Sequence, residues 1–252
     1  MSMRKNIKFS VFGPLIILVI WWIISELKIV DPILLPRLDD TLARFFVLLI
    51  SAKAFPDLWA TVYQTIVGFS IASLFGIIAG LIIGKYTKIY KTFEVVIDFF
   101  RSLPATAMFP LFLLIFGIGS ASKIAIAIFI SFWIVLLNSV YGVFHSSKTR
   151  TKVAKSLGAT DWQIFRDITV MEALPQIVVG LRTAISLSLI VVVVSEMFIG
   201  SSVGLGQKIY DSYLTYETAN LYAWLLIVGL VGYILNKFFV LFEKRTLHWV
   251  GK

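Results

Sequence analysis

Six apolar segments, each long enough to cross a bilayer, constrain the fold of this chain more than any other feature. They cover residues 9–27, 60–84, 103–119, 123–143, 174–198 and 220–241. A bilayer core about 30 Å thick requires roughly 20 consecutive apolar residues in a helix. In lipid, a helix also satisfies its own backbone polar groups. The sequence therefore predicts an all-α polytopic membrane protein with about six transmembrane helices, folded as a single transmembrane domain of residues 1–252.

Composition supports lipid as the main solvent and argues against nucleic acid as a partner. The chain is 59% hydrophobic and 15% charged, whereas soluble domains are nearer half apolar and a quarter charged. A net charge of +9 could indicate nucleic-acid binding. The basic residues, however, lie between apolar segments, as expected of loops that face anionic lipid and the cytoplasm. There is no cysteine, which excludes disulfides and thiolate chemistry.

The distribution of basic residues predicts the orientation in the membrane. If the N-terminus is inside, the inner segments hold most of the 23 lysines and arginines. They include Arg4, Lys5 and Lys8 before the first segment. Cytoplasmic loops carry an excess of lysine and arginine, so we expect both termini in the cytoplasm.

Two further stretches are not predicted to span. Residues 41–53 form an apolar stretch too short to cross, which favours an interfacial or packing helix. Residues 199–216 contain Gly and Ser, and they either dip into the membrane without crossing or form a surface loop. Gly76, Gly80 and Gly84 lie four apart, so they share one helix face where a second helix can approach closely.

The inner loop of residues 144–173 is longer than a simple turn requires and has a regular pattern. Val153, Ala154 and Leu157 fall at helical spacing, and Gly158 follows at a position that commonly ends a helix. The pattern predicts a first short helix that ends at the glycine.

A second short helix is predicted directly after this break. Thr160 can cap its N-terminus together with Gln163 three residues on, and Trp162 and Phe165 add apolar bulk. Two helices with exposed apolar side chains either dock on a partner protein or rest on lipid headgroups. The residues alone leave these two alternatives open.

This loop resembles the cytoplasmic coupling loop of ABC importer permeases. The family pattern is Glu-Ala-Ala, three residues, Gly, nine residues and Ile-x-Leu-Pro; here it is matched by Ala154, Gly158 and Ile168 at the right spacing. Lys152 replaces the family's acidic residue. Met171 replaces the family's proline, so the helix break of this loop is expected at Pro175 instead.

The resemblance extends over roughly residues 60–240, taken as the permease core. The segments SLGATDWQIFRDI, ALPQIVVGLRTA and RSLPATAMFPLFLLIFGIGSASKI are similar to permeases that import nitrate, sulfonates, taurine and bicarbonate. The fold implied is that of a type I ABC importer permease in a bacterial inner membrane. The cargo implied is a small oxyanion of that kind.

The resemblance also implies partners and a division of labour. The permease would form the translocation pathway as a dimer, expected to consist of two copies of this chain, with two cytoplasmic ATP-binding subunits and an external solute-binding protein. ATP and Mg would be held by the ATPase subunits, so the chain would be no enzyme and carry no cofactor or metal. The residues implied to couple to the ATPase are Lys152, Val153, Ala154, Leu157, Gly158, Ala159, Thr160, Trp162 and Phe165.

Polar residues in or near the predicted spans are candidates for the substrate pathway, because a charge at the bilayer centre costs about 2.5–3.5 kcal/mol on the insertion scale. One helical face carries Glu94, Asp98 and Arg101. These residues either form an ion-pair row that fixes helix packing, or Arg101 lies near the inner gate of the pathway. Pro104 and Pro110 follow, and each can kink a span as a hinge or as a packing shape.

Three more candidates lie in the fifth segment. Arg182 could meet an anionic cargo or pair with Asp98 or Glu94. Ser186 could line the pathway, although serines in spans usually bond to their own helix or a neighbour. Glu196, near the outer end, is better explained as a structural or interfacial acid.

Two other functional classes fit the sequence less well. A secondary transporter or channel explains the spans and the charges but not the patterned inner loop. An intramembrane enzyme needs a base, metal ligands or an activated nucleophile; the only histidines are His145 and His248, and neither HExxH nor GxSxG occurs. Gly84-Lys85 lacks the glycine and hydroxyl residue of a nucleotide-binding loop. We therefore expect no catalytic site.

Overall fold

The computed structural model describes the backbone of residues 3–247 and the side chains of residues 12–247. His248 and the side chains of Arg4, Lys5 and Lys8 lie outside these ranges. The described part is helical and contains no strand. Its α-helices are α1 (Met3–Glu26), α2 (Leu38–Ile50), α3 (Phe55–Lys85), α4 (Thr87–Ser102), α5 (Phe109–Phe116), α6 (Ser120–Phe144), α7 (Lys148–Ser156), α8 (Asp161–Ile164), α9 (Val170–Ile199), α10 (Leu205–Leu214) and α11 (Thr218–Thr246).

Four predicted spans are confirmed. Segments 60–84, 123–143 and 220–241 correspond to α3, α6 and α11, and segment 174–198 lies in one continuous helical stretch, Asp161–Ile199. Each is long and apolar enough to cross a bilayer. The all-α, polytopic membrane fold is thereby confirmed.

The predicted span at 103–119 is not one continuous helix. Helix α4 and the helical stretch Ala105–Phe116 are bent by 87° at the break between them, so they pass the length and hydropathy test only as a bent pair. Leu103 and Pro104 have extended backbones, with ψ of 124° and 122°. Steric clash with a proline ring disfavours helix in the preceding residue, which explains why the helix ends before Pro104.

The first predicted segment, 9–27, forms part of α1, in which Phe12–Glu26 is a shorter apolar helix than the four full spans. Its end is tied to the start of α2. The Trp21 Nε1 atom donates to the carbonyl oxygen of Pro36 at 3.0 Å, and Arg37 lies 2.6 Å from Glu26 and 3.1 Å from Asp39. The Arg37 guanidinium, donating to Asp39, holds the pKa of that carboxyl below its ordinary value.

The centre of the bundle depends on glycines that let helices approach closely. A methyl group at Gly80 of α3 would lie 2.5 Å from Ser139 Cβ of α6, and one at Gly84 would lie 2.7 Å from Val143 Cβ. A methyl group at Gly76 would also contact α6. The predicted small-residue face is confirmed, and it buries the α3–α6 contact on which the rest of the bundle packs.

The two non-spanning stretches are both helical. Residues 41–53 lie largely in α2, which packs against α11 as the packing alternative predicted. Residues 199–216 contain α10, whose Leu205, Gly206 and Ile209 are buried. Because α10 packs against α9 and α11, this stretch is an integrated helix rather than a surface loop.

Candidate functional site

The inner loop begins with a capped short helix. The Ser147 hydroxyl accepts the Arg150 N–H at 3.3 Å at the start of α7. This helix ends at Gly158, whose φ is +85°. The Gly158 N–H donates to Lys155 at 3.0 Å, and the Ala159 N–H donates to Ala154 at 3.0 Å. These two bonds form the Schellman arrangement of a glycine helix end, so the predicted helix stop is confirmed.

The second short helix, α8, starts with the predicted capping box. The Thr160 N–H donates to Gln163 Oε1 at 2.8 Å, and the Gln163 N–H donates to Thr160 Oγ1 at 3.3 Å. An ion pair of 3.0 Å between Lys155 and Asp161 crosses the glycine break. The turn between the helices is therefore fixed by bonds between residues that are close in sequence.

Three large apolar side chains of α7, α8 and the turn between them are exposed, and we refer to them together as the docking face. Val153 is 54% exposed, Leu157 83% and Trp162 60%. A further residue of the predicted coupling set, Lys152, is also exposed. Contiguous exposed apolar side chains mark interaction surfaces in proteins.

The opposite side of the loop is fixed to α9 by a residue that the sequence analysis missed. Glu172 Oε2 accepts the Ser147 N–H, and Glu172 Oε1 lies 2.7 Å from Arg150 Nε. The acid therefore joins the start of α7 to the first turn of α9. The available signal was an acidic residue, Glu172, directly before the apolar segment 174–198.

A second missed residue, Lys85, joins the loop to α3. Its ammonium lies 4.4 Å from the centre of the Phe165 ring and 5.8 Å from that of Trp162. A cation at this distance from an aromatic face is attracted by the ring quadrupole. Phe165 is thus half-buried against the end of α3 instead of fully presented to solvent.

The helix break assigned to Pro175 does not occur there. Residues Asp161–Ile199 are continuously helical, with a wide π turn at Phe165–Thr169 ahead of the proline. Single π turns are found inside α-helices and often at functional sites. The irregularity of the loop therefore lies directly beside α8, and Pro175 is accommodated inside α9.

The pathway candidates of the bent pair lie on its exposed side. Arg101 pairs with Asp98 at 2.8 Å, both about half exposed, whereas no cation of the described residues lies within 4.0 Å of Glu94. The predicted ion-pair row is therefore reduced to one pair. Pro104 lies at the 87° bend itself.

Arg182 has partners other than the predicted ones. Its Nε donates to Asn236 Oδ1 at 2.8 Å, and its guanidinium lies 3.8 Å from Glu243, both on α11. The alternative that Arg182 pairs with Asp98 or Glu94 is wrong, because its guanidinium is bound to α11 and Asp98 pairs with Arg101. Ser186 donates to the Arg182 carbonyl oxygen of its own helix at 3.2 Å.

Glu196 lies in a buried polar network at the predicted outer end of α9. It is 0% exposed and accepts from Thr61 Oγ1 at 2.8 Å and from the Gly206 N–H at 2.8 Å. The Leu205 N–H donates to Thr61 Oγ1 at 2.9 Å. These bonds agree with the structural role expected of Glu196.

Two buried charged residues near Glu196 were missed by the sequence analysis. Asp57 accepts the Gly204 N–H at 2.9 Å, and Lys123 is 1% exposed. Both belong to predicted spans or their edges, where a charge is costly without partners. We refer to Asp57, Thr61 and Glu196 with the Gly204–Gly206 backbone as the outer network.

Similarity to known proteins agrees with this architecture. Residues 72–248 match the family described as "Binding-protein-dependent transport system inner membrane component". Among solved structures, a chain of the MetNI methionine ABC transporter in an inward-facing conformation aligns with a TM-score of 0.67 and 19% identity, over 79% of this chain and 97% of that one. The fold is that of a type I ABC importer permease.

Three curated relatives are similar over most of the chain. SsuC of Bacillus subtilis, named for aliphatic sulfonates transport, is 29% identical over 238 residues, 94% of this chain and 85% of its own. TauC of Escherichia coli, a taurine transport system permease, is 24% identical, and the match covers 99% of this chain and 92% of TauC. NrtB of Synechocystis, a nitrate import permease, is 30% identical, and the match covers 76% of this chain and 69% of NrtB. The chain therefore belongs to the family of binding-protein-dependent inner-membrane permeases of ABC importers.

Proposed function

We propose that this permease forms, as a homodimer, the pathway by which a small oxyanion enters a bacterial cytoplasm. Two separate subunits bind and hydrolyse ATP with Mg, and an external solute-binding protein delivers the cargo. The termini and the loop of residues 144–173 lie on the cytoplasmic side, and the chain itself carries no cofactor.

The observation that carries this proposal is the construction of the inner loop. The docking face projects three apolar side chains away from the bundle, while Glu172 and Lys85 hold the other side of the loop to α9 and α3. An element exposed on one side and fixed on the other can transmit force as a rigid body. No nucleotide chemistry on this chain is then needed.

The cargo class is supported by the relatives, which are named for sulfonates, taurine and nitrate. All three solutes carry an oxyanion group. Arg182 remains the basic candidate for cargo contact, because its side chain is partly exposed although it is paired with α11. Arg101, Pro104, Ser186 and Glu196 are proposed only as residues that shape the pathway or support it.

The test uses the permease reconstituted in liposomes with its ATP-binding subunit and its solute-binding protein. We expect Gly158→Val to reduce cargo-stimulated ATP hydrolysis at least tenfold, because a β-branched residue at φ +85° costs on the order of 1–2 kcal/mol or more and distorts the loop. No atom lies within 4 Å of the position of an added Cβ, so the effect arises from the backbone.

Gly117→Val is the matched control. Gly117 has a φ of +73° and equally open surroundings, but it lies between α5 and α6, away from the loop. We expect it to retain stimulation. Equal loss in both variants would mean that general strain, and not coupling, explains the effect; uptake by the permease without an ATPase would favour a secondary transporter or channel.

A further inference from the structure

A cavity of about 670 Å³ lies between the inner loop and the junction of α3 with α4. It is lined by residues from both sides, including Lys85, Thr87, Lys148, Lys155, Asp161 and Phe165. Small-molecule sites commonly have volumes of about 300–1,000 Å³. The cavity is therefore large enough for a phosphate group with part of its substituent.

The charge of the cavity is positive. Lys155 pairs with Asp161 at 3.0 Å, and Asp161 is the one carboxylate among the lining residues. In the described part of the chain, no carboxylate lies within 4.0 Å of the ammonium of Lys85 or Lys148. Two cations thus face one cavity without a neutralising partner.

The hydrogen-bonding groups of the lining agree with this charge. Thr87 contributes a hydroxyl and lies in the first turn of α4, whose N-terminus has no side-chain cap and no acidic residue. The partial positive charge of a helix N-terminus adds to the field of the lysines. Phe165, Phe144 and Val143 supply an apolar wall beside the charged one.

We propose that this cavity binds a phosphate-type anion that bridges α3 and the inner loop. The anion comes either from the headgroup of an anionic lipid in the inner leaflet or from free inorganic phosphate. Basic pockets between membrane helices on the cytoplasmic side bind anionic headgroups, and the apolar wall can accept the start of an acyl chain. The charge and the volume of the cavity support an anion site. A lipid as the source of the anion also requires that the inner loop lies on the cytoplasmic side, as proposed above.

Bound anion would link the end of α3 to the first helix of the inner loop. Lys85 belongs to the end of α3, and Lys148 begins α7. Neutralising both cations by one anion would hold these elements together, in addition to the contact of Lys85 with Phe165. The position of the docking face would then respond to the lipid or the phosphate at the inner membrane surface.

The experiment uses the purified full chain and has two arms. In the first, native mass spectrometry counts the lipids retained from micelles with equal amounts of phosphatidylglycerol and phosphatidylcholine. In the second, inorganic phosphate is titrated by calorimetry onto the chain in phosphatidylcholine nanodiscs. We expect Lys148→Gln to weaken binding about fivefold in the arm where the wild type binds, since one lysine near a membrane surface contributes about that factor.

Lys91→Gln is the matched control, because Lys91 lies on the exposed side of α4 and does not line the cavity. Lys148→Arg keeps the charge and should restore binding, and a thermal melt verifies that all variants are folded. Binding of phosphatidylglycerol assigns the site to a lipid, and binding of inorganic phosphate assigns it to a free anion. Equal binding by wild type, Lys148→Gln and Lys91→Gln in both arms would overturn the proposal.

Discussion

The proposed cytoplasmic end of this permease, with the inner loop, and its proposed external end, with the outer network, hold their helices together in different ways. At the inner end, the turn between α7 and α8 is fixed by caps between residues close in sequence, Glu172 and Lys85 attach the loop to α9 and α3, and apolar side chains remain exposed. At the outer end, α10 is held by buried bonds between residues far apart in sequence, such as Thr61 with Glu196 and Leu205. The inner end can therefore change its partner without losing its shape, whereas the outer end is locked into the bundle.

This difference assigns separate effects to the two regions. Changes in the outer network should lower the stability of the fold, because buried polar groups left unpaired are costly. Changes in the docking face should weaken a partner contact and leave the fold intact. Helix α3 reaches both regions, with Asp57 and Thr61 in its outer half and Lys85 at its inner end. We expect it to connect them mechanically as a rigid element.

The largest effect that separates the two ends is expected from Gly206→Val. A Cβ at this position would lie 2.0 Å from the Val193 carbonyl oxygen and 2.8 Å from Glu196 Cβ, so α10 must move away from α9. We expect a loss of several kcal/mol, on the order of 3 or more, in the free energy of unfolding. Chemical denaturation of the purified permease in detergent measures it.

The control for this variant is Gly229→Ala in α11. No atom lies within 4 Å of an added Cβ there, and alanine favours helix over glycine. Its stability should be unchanged or slightly higher. A stable Gly206→Val protein would contradict the locked outer end.

The next effect is expected at the inner end, where affinity for a partner should fall while the stability of the fold is unchanged. Replacing Leu157 by Ser together with Trp162 by Ala removes most of the exposed apolar area of the docking face. Interface anchors of this type contribute about 2 kcal/mol or more, so affinity for the ATP-binding subunit should fall about 30-fold. Surface plasmon resonance with the immobilised permease measures the affinity.

The stability of this double variant should equal that of the wild type within about 0.5 kcal/mol, because its side chains are exposed. Tyr213→Ala, an exposed aromatic on α10, is the control and should leave the affinity unchanged. Unchanged affinity of the double variant would remove the docking face from the coupling contact.

The smallest effect, a loss of stability, is expected from a substitution in the outer network alone. Thr61→Val keeps the shape of the side chain but removes the donor to Glu196 and the acceptor of the Leu205 N–H. Leaving such groups unpaired costs about 1–2 kcal/mol. Thr183→Val is the control, since the Thr183 hydroxyl is exposed and bonds only to the Val179 carbonyl of its own helix. Chemical denaturation should give a lower free energy of unfolding for Thr61→Val than for Thr183→Val.

The contrast between the two ends also explains what the sequence could predict. The inner loop follows local rules, so the stop at Gly158 and the capping box of Thr160 and Gln163 were predicted residue by residue. Helix lengths and the glycine face of α3 follow from hydropathy and spacing, which are also local.

The outer network could not be predicted in this way. Asp57 and Gly204 are joined only when α3 and α10 are packed together, and nothing in their sequence surroundings indicates the partner. The same reason explains Arg182, whose bonds to α11 depend on how two distant helices are placed. A kink at Pro104 was predicted, but its 87° angle was not, because hydropathy does not determine the angle between the two helices that the proline separates.

The central claim is that the loop around Gly158 docks on a separate ATP-hydrolysing subunit, and cross-linking tests it most directly. The chain has no cysteine, so Ala159→Cys and Thr160→Cys each introduce a single reactive site, and Lys208→Cys on α10 is the control. In membranes that contain the full transporter, a reagent with a thiol-reactive group at one end and a photoreactive group at the other should, after irradiation, join the first two variants, but not the third, to the ATP-binding subunit. Absence of that product from Ala159→Cys and Thr160→Cys, in a transporter that still imports its cargo, would contradict the account.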